Sequence, residues 1–195
     1  MARKWRVGAR AGALGAAAIP AALAGVAYVS GSARVAGPAH GEPTQGDETS
    51  PAGSAIGTDE HANVYVAGLE SGGAVVAGQI GAVVTKLDAD GARLWSHTCA
   101  SPGALGEPRI AVGPEGDVAL VLTFQGSIDC GNGRVMAEGG EVDFDALVVK
   151  LDAGGRVAWS RHLGDVGVQA FAAVAIDPWG SVVVAGSFEG TLALG

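Results

Sequence analysis

Cys99 and Cys130 are the only two cysteines in the chain. In an oxidising compartment such a pair forms a disulfide, here closing a loop of about 30 residues; in a reducing one it stays as two thiols. The internally equivalent positions identified below are Leu163 and Leu194, so a cysteine could equally fill an apolar site, and both readings stay open. His97-x-Cys99 with Cys130 offers three zinc ligands, but no fourth follows at the usual spacing. Asp88-x-Asp90-Gly91 has the alternating carboxylates that begin a calcium loop, which makes Asp88 and Asp90 a weak calcium candidate. No third Asp and no bidentate Glu follow, so a hairpin turn accounts for these residues better. Asp143-x-Asp145, preceded by Glu138 and Glu141, forms a second acidic cluster, expected in a solvated connection.

Signatures of catalysis are absent. No serine has glycine at both −2 and +2, and there is no HExxH, no P-loop and no GxGxxG after a strand. His40, His61, His97 and His162 are scattered, none beside a recognisable nucleophile. Lys86 and Lys150 recur at one repeat position, whereas an active site is usually needed once. Apart from the calcium candidate, no catalytic, cofactor-binding or metal-binding residue is expected, and no cofactor.

The elements that position these residues are short strands. Among 195 residues, 33 are glycine, 48% are apolar and only 5% aromatic. Glycine weakens helix interiors, while glycine-dense, valine-rich sequence suits strands joined by tight turns. A net charge of −8 argues against a nucleic-acid partner.

Charge is unevenly placed. Arg3, Lys4, Arg6 and Arg10 precede an uncharged stretch, 11–31, and small residues follow at Gly31 and Ala33. This pattern predicts a signal peptide over 1–33 and a secreted, periplasmic or cell-surface location, with an uncleaved membrane anchor as the rival reading. Cleavage would remove four positive charges and take the net charge from −8 to −12. Residues 34–54, rich in Pro, Gly, Ser, Thr and acids, read as a flexible linker.

The rest of the chain repeats. Residues 84–96, VTKLDADGARLWS, match 148–160, VVKLDAGGRVAWS, with Lys86, Gly91 and Trp95 falling on Lys150, Gly155 and Trp159 at a constant offset of 64. The register continues through Pro114/Pro178, Gly116/Gly180 and Phe124/Phe188, and 63–68, NVYVAG, is a third copy of 181–186, SVVVAG. Each copy reads as four or five short strands, including a short strand over 191–194. The folded part, 55–195, is thus expected to be all-β: a partial repeat over 55–81 and repeats over about 82–145 and 146–195.

KLD-x-x-G-x-x-x-W-S followed by A-x-D-P-x-G-x-V-x-V-A-G-x-F resembles the bacterial seven-bladed β-propeller repeats of exported and cell-surface proteins. Gly91/Trp95 and Gly155/Trp159 are also similar to the tryptophan-docking repeats of quinoprotein propellers. The first resemblance implies a non-enzymatic scaffold that displays loops, without identifying its ligand; a protein or glycan is a candidate partner, and the open strand edges of an incomplete ring would allow self-association. The second implies a piece of a quinone-dependent enzyme. About 2.2 repeats cannot close a ring of the usual four to eight blades, so a fragment of a longer propeller is expected.

Overall fold

The computed structural model describes residues 52–71, 75–138, 143–165 and 167–189, with side chains from Ala55 onward. The expected signal peptide (1–33), the linker up to residue 51 and the expected strand at 191–194 lie outside these residues. The described chain is all-β, with twelve antiparallel strands and no helix among the described residues.

Strands β1 (Ala52–Thr58), β2 (Val64–Ser71), β3 (Ile80–Leu87) and β4 (Arg93–Ser101) form a meander in sequence order. β1 therefore begins inside the segment expected to be linker. A second meander consists of β5 (Arg109–Val112), β6 (Val118–Gln125), β9 (Phe144–Leu151) and β10 (Val157–Leu163). Between β6 and β9 the chain makes a small hairpin, β7 (Ser127–Asp129) and β8 (Arg134–Met136), which adds to the outer edge of the first sheet beyond β4. β11 (Gln169–Ile176) and β12 (Val182–Phe188) form a third, two-stranded sheet. The spatial unit is thus phased differently from the sequence repeat. Residues 55–81 are the first half of a complete four-stranded unit, and the two-stranded unit lies at the other end of the described chain.

The core follows the two-residue period of a strand. Val118, Leu120, Leu122 and Phe124 of β6 face the first sheet, where they meet Tyr65, Ala67, Ala82 and Val84. The alternate residue Val121 packs with Ala146, Val148 and Leu163 against Phe171, Val174, Val182 and Val184 on the opposite side. The middle sheet is therefore covered on both faces, which is why 144–151 is buried along almost its whole length, Asp145 and Lys150 included. The first strands of the three units lie side by side, β1 against β5 and β5 against β11.

Five turns of one design close one end of the molecule. They start at Asp59, Asp88, Gly113, Asp152 and Asp177. In each, the first amide bonds the fifth carbonyl and the fourth amide bonds the first carbonyl. The fourth residue has positive φ: Ala62 (60°), Gly91 (83°), Gly116 (79°), Gly155 (80°) and Gly180 (81°). Ala62 is the only non-glycine with positive φ among the described residues.

Candidate functional site

At the turn end the repeat residues build a buried polar seam. In four of the turns the leading Asp caps its own loop, its Oδ1 accepting from the amides two and four residues on. These are His61 and Asn63 for Asp59, Asp90 and Ala92 for Asp88, Gly154 and Arg156 for Asp152, and Trp179 and Ser181 for Asp177. Asp88, one of the two calcium candidates, is thus a turn-forming residue, and Asp90 lies within the same turn. The fifth turn begins with Gly113, and there the carboxylate comes from Asp117, whose Oδ1 lies 2.1 Å from where a Gly113 Cβ would sit.

Lys86 and Lys150 converge on these carboxylates. Lys86 Nζ lies 3.3 Å from Asp59 Oδ2, whose side chain is 1% exposed, and 4.9 Å from the centroid of the Tyr65 ring. Lys150 pairs with Asp117. The Tyr65 hydroxyl sits within 2.9 Å of Asp59 Oδ2 and 3.0 Å of the Gly116 carbonyl in the next unit. Burial opposes ionisation of Asp59, but hydrogen bonds from the Asn63 side chain, Tyr65 and the Asn63 and His61 amides outweigh it. The carboxyl is held well below the usual range. Burial, reinforced by the hydrogen bond to Asp59 and the charges of Asp59 and Asp117, pushes the Tyr65 phenol well above its usual range. Each ion pair closes within its own unit, and the Tyr65 hydroxyl at the Gly116 carbonyl carries the seam across to the next unit, which makes it architectural.

Trp95 and Trp159 hold equivalent, half-buried places, each directly across its hairpin from the repeat lysine. The Trp95 indole crosses to the next unit, where Nε1 donates to the Ala153 carbonyl at 2.9 Å and the ring lies over Gly155. Only glycine admits this approach, since a Cβ on Gly155 would stand 2.7 Å from Cδ2 of the ring. Gly91 and Gly155 are thereby placed as the fourth residues of their turns. His97, two residues beyond Trp95, is pushed down by burial, while a hydrogen bond to the Gly155 backbone acts in the opposite sense.

Departures from the repeat gather at the opposite end. Counting between equivalent turn positions, unit one has 29 residues from Asp59 to Asp88 and unit two has 39 from Gly113 to Asp152. The ten extra residues are the β7–β8 hairpin. A disulfide between Cys99 at the end of β4 and Cys130 just after β7 pins this hairpin to the first unit. Asn132 at its tip donates from Nδ2 to the Ser160 hydroxyl of β10 at 2.7 Å. The hairpin thus clasps two units, and it borders a half-open surface cleft of about 290 Å3, with Gly131 and Arg134 exposed on its rim.

Asp145 corrects the sequence-based expectation. It does not lie in a solvated loop but on β9, and its side chain is wholly buried. His162 Nε2 lies 2.6 Å from Asp145 Oδ2, and the Glu138 amide donates to the same oxygen at 2.9 Å. Phe124 lies against the His162 ring at a centroid distance of 5.8 Å. In unit one the corresponding residues are Gly81 and Thr98, so the pair is particular to unit two. Its legible signal was the histidine 17 residues after the aspartate, on the adjoining strand. Asp143 sits nearby and accepts from the Gly167 amide, whereas Glu141 lies outside the described residues. No group of three or more metal-ligating side chains occurs among the described residues.

No protein-family model matches the chain, and no curated protein matches it.

Proposed function

We propose that the chain is an exported, non-catalytic β-propeller repeat protein, and that the end opposite the five turns is its binding surface. The observation that carries this reading is the mode of stacking. Successive four-stranded meanders place their first strands side by side, and Trp95 of one unit seats on the turn of the next. Export is supported by the basic start, the uncharged stretch after it and the buried disulfide. The polar seam at the turn end acts as mortar between units. The hairpin, the disulfide and the Asp145–His162 pair are features that only one unit has, as a binding function requires.

Expression of the full chain with a carboxy-terminal tag in a bacterial host, followed by fractionation, amino-terminal sequencing and thiol titration, tests this. The expected product lies outside the cytosol, begins at Arg34 after loss of 1–33, and has no titratable thiol. Full-length protein in the cytosol with both thiols free overturns the export reading.

A further inference from the structure

We infer that the cavity beside the β7–β8 hairpin is a binding site for a small zwitterion of amino-acid size. Three stretches of chain wall it: Gln79 before β3, Pro102 after β4, and Ser127, Asp129, Gly131 and Arg134 of the inserted hairpin. β7 meets β4 at a single residue pair, Ala100 with Asp129, beside the Cys99–Cys130 disulfide. Beyond that point the two strands are no longer paired, and the disulfide keeps the walls from moving apart.

Charge in the lining sets the ligand chemistry. Arg134 is its one cation and Asp129 its one anion, and they occupy directly opposed positions in the hairpin register. No ion pair joins them among the described residues. Asp129 uses Oδ1 to accept from the Gly131 amide at 2.8 Å, which leaves Oδ2 for a ligand. A guanidinium fork is suited to a carboxylate and Asp129 Oδ2 to an ammonium group, with the Gln79 amide and Ser127 hydroxyl available to a polar side chain. The volume, about 290 Å3, is at the small end for ligand pockets, and no aromatic ring lines the site for a sugar to stack on. Both points favour a free amino acid over a glycan. The inference does not depend on export or on the propeller reading.

Calorimetric titration of the purified, oxidised chain with L-serine, L-glutamate and glucuronate is the test, with Arg134→Gln, Asp129→Asn and the distant control His61→Gln as variants. Saturable heat is expected from at least one amino acid below about 10 mM. Arg134→Gln and Asp129→Asn should each weaken it by about tenfold or more, and His61→Gln should leave it unchanged. Unaltered circular dichroism and full disulfide formation show that the variants fold. Absence of binding by either amino acid, binding of glucuronate alone, or undiminished binding by both pocket variants overturns the inference.

Discussion

The five turns form a matched series in which one substitution meets different surroundings. Gly180 and Gly155 hold the same turn position at almost the same φ, 81° and 80°. A Cβ at Gly180 would meet nothing within 4 Å, whereas at Gly155 it would stand 2.7 and 2.8 Å from two atoms of the Trp95 ring. Gly180→Ala therefore carries only the left-handed backbone penalty, about 1 kcal/mol. Gly155→Ala carries the same penalty and also displaces the indole. Overpacking of that kind costs about 1–3 kcal/mol, and loss of the Trp95–Ala153 hydrogen bond adds about 1, for a total of about 3–5 kcal/mol. Ala62→Gly runs the other way. It relieves about 1–2 kcal/mol of left-handed strain and loses about 0.5–1 to backbone entropy, a net gain of about 0.5–1. Urea denaturation of the oxidised chain, followed by fluorescence and circular dichroism, measures all three. Equal losses for Gly155→Ala and Gly180→Ala would refute the docking of Trp95 on its neighbour.

Three further predictions concern the seam and the clasp. Removing the disulfide with Cys99→Ser and Cys130→Ser should lower stability by about 3–4 kcal/mol; reductant should then shift the denaturation midpoint of the natural chain but not that of the variant. Lys86→Met strands the buried Asp59 and should cost about 3–5 kcal/mol, part of which Asp59→Asn restores in the double variant, as a double-mutant cycle would measure. Lys150→Met should cost less, because the side chain of its partner Asp117 is 21% exposed. His97 and Asp59 both have folded-state pKa values below their unfolded ones, so each contributes stability that is present above the unfolded value and lost as pH falls through the folded one. Thermal melts should show a loss that begins below pH 6.5 and disappears in His97→Gln, then a second that begins below pH 3.8 and shrinks in Asp59→Asn, Asp177 being held low as well.

Strand type, turn chemistry and the equivalence of units were legible because each is carried by local residues. KLD-x-x-G marks a hairpin in both copies, and Trp95 and Trp159 fell in equivalent places. The phase of the spatial unit was harder to read. The first turn, Asp59-Glu60-His61-Ala62-Asn63, lacks the Pro and Gly that mark Pro178 and Gly180, so nothing local showed that it begins a complete unit. The inserted hairpin, in contrast, left a trace. The offset of 64 holds from the second copy to the third, whereas the first turn precedes the second by 54 residues, a difference already contained in the match of 63–68 to 181–186. Asp145 was misjudged because its acidic neighbours in sequence imply solvent. Its environment is set instead by the strand that brings His162 across from it. The Gly113–Asp117 exchange, in which a carboxylate changes position along the turn and keeps its lysine, is likewise visible only in three dimensions.

The difference between the two ends bears on how such a chain can diversify. In the two turns of the second unit, loop length is fixed twice, by the hydrogen bonds within the turn and by a tyrosine or tryptophan arriving from the first unit. An added residue there would break two units at once. The other end has accepted ten residues in one copy and none in the other while the four-stranded frame stayed intact. Heritable novelty can therefore accumulate on one face without renegotiating the fold, and a library of altered binding specificities would be built by randomising 131–136 beside the disulfide rather than any residue of the five turns.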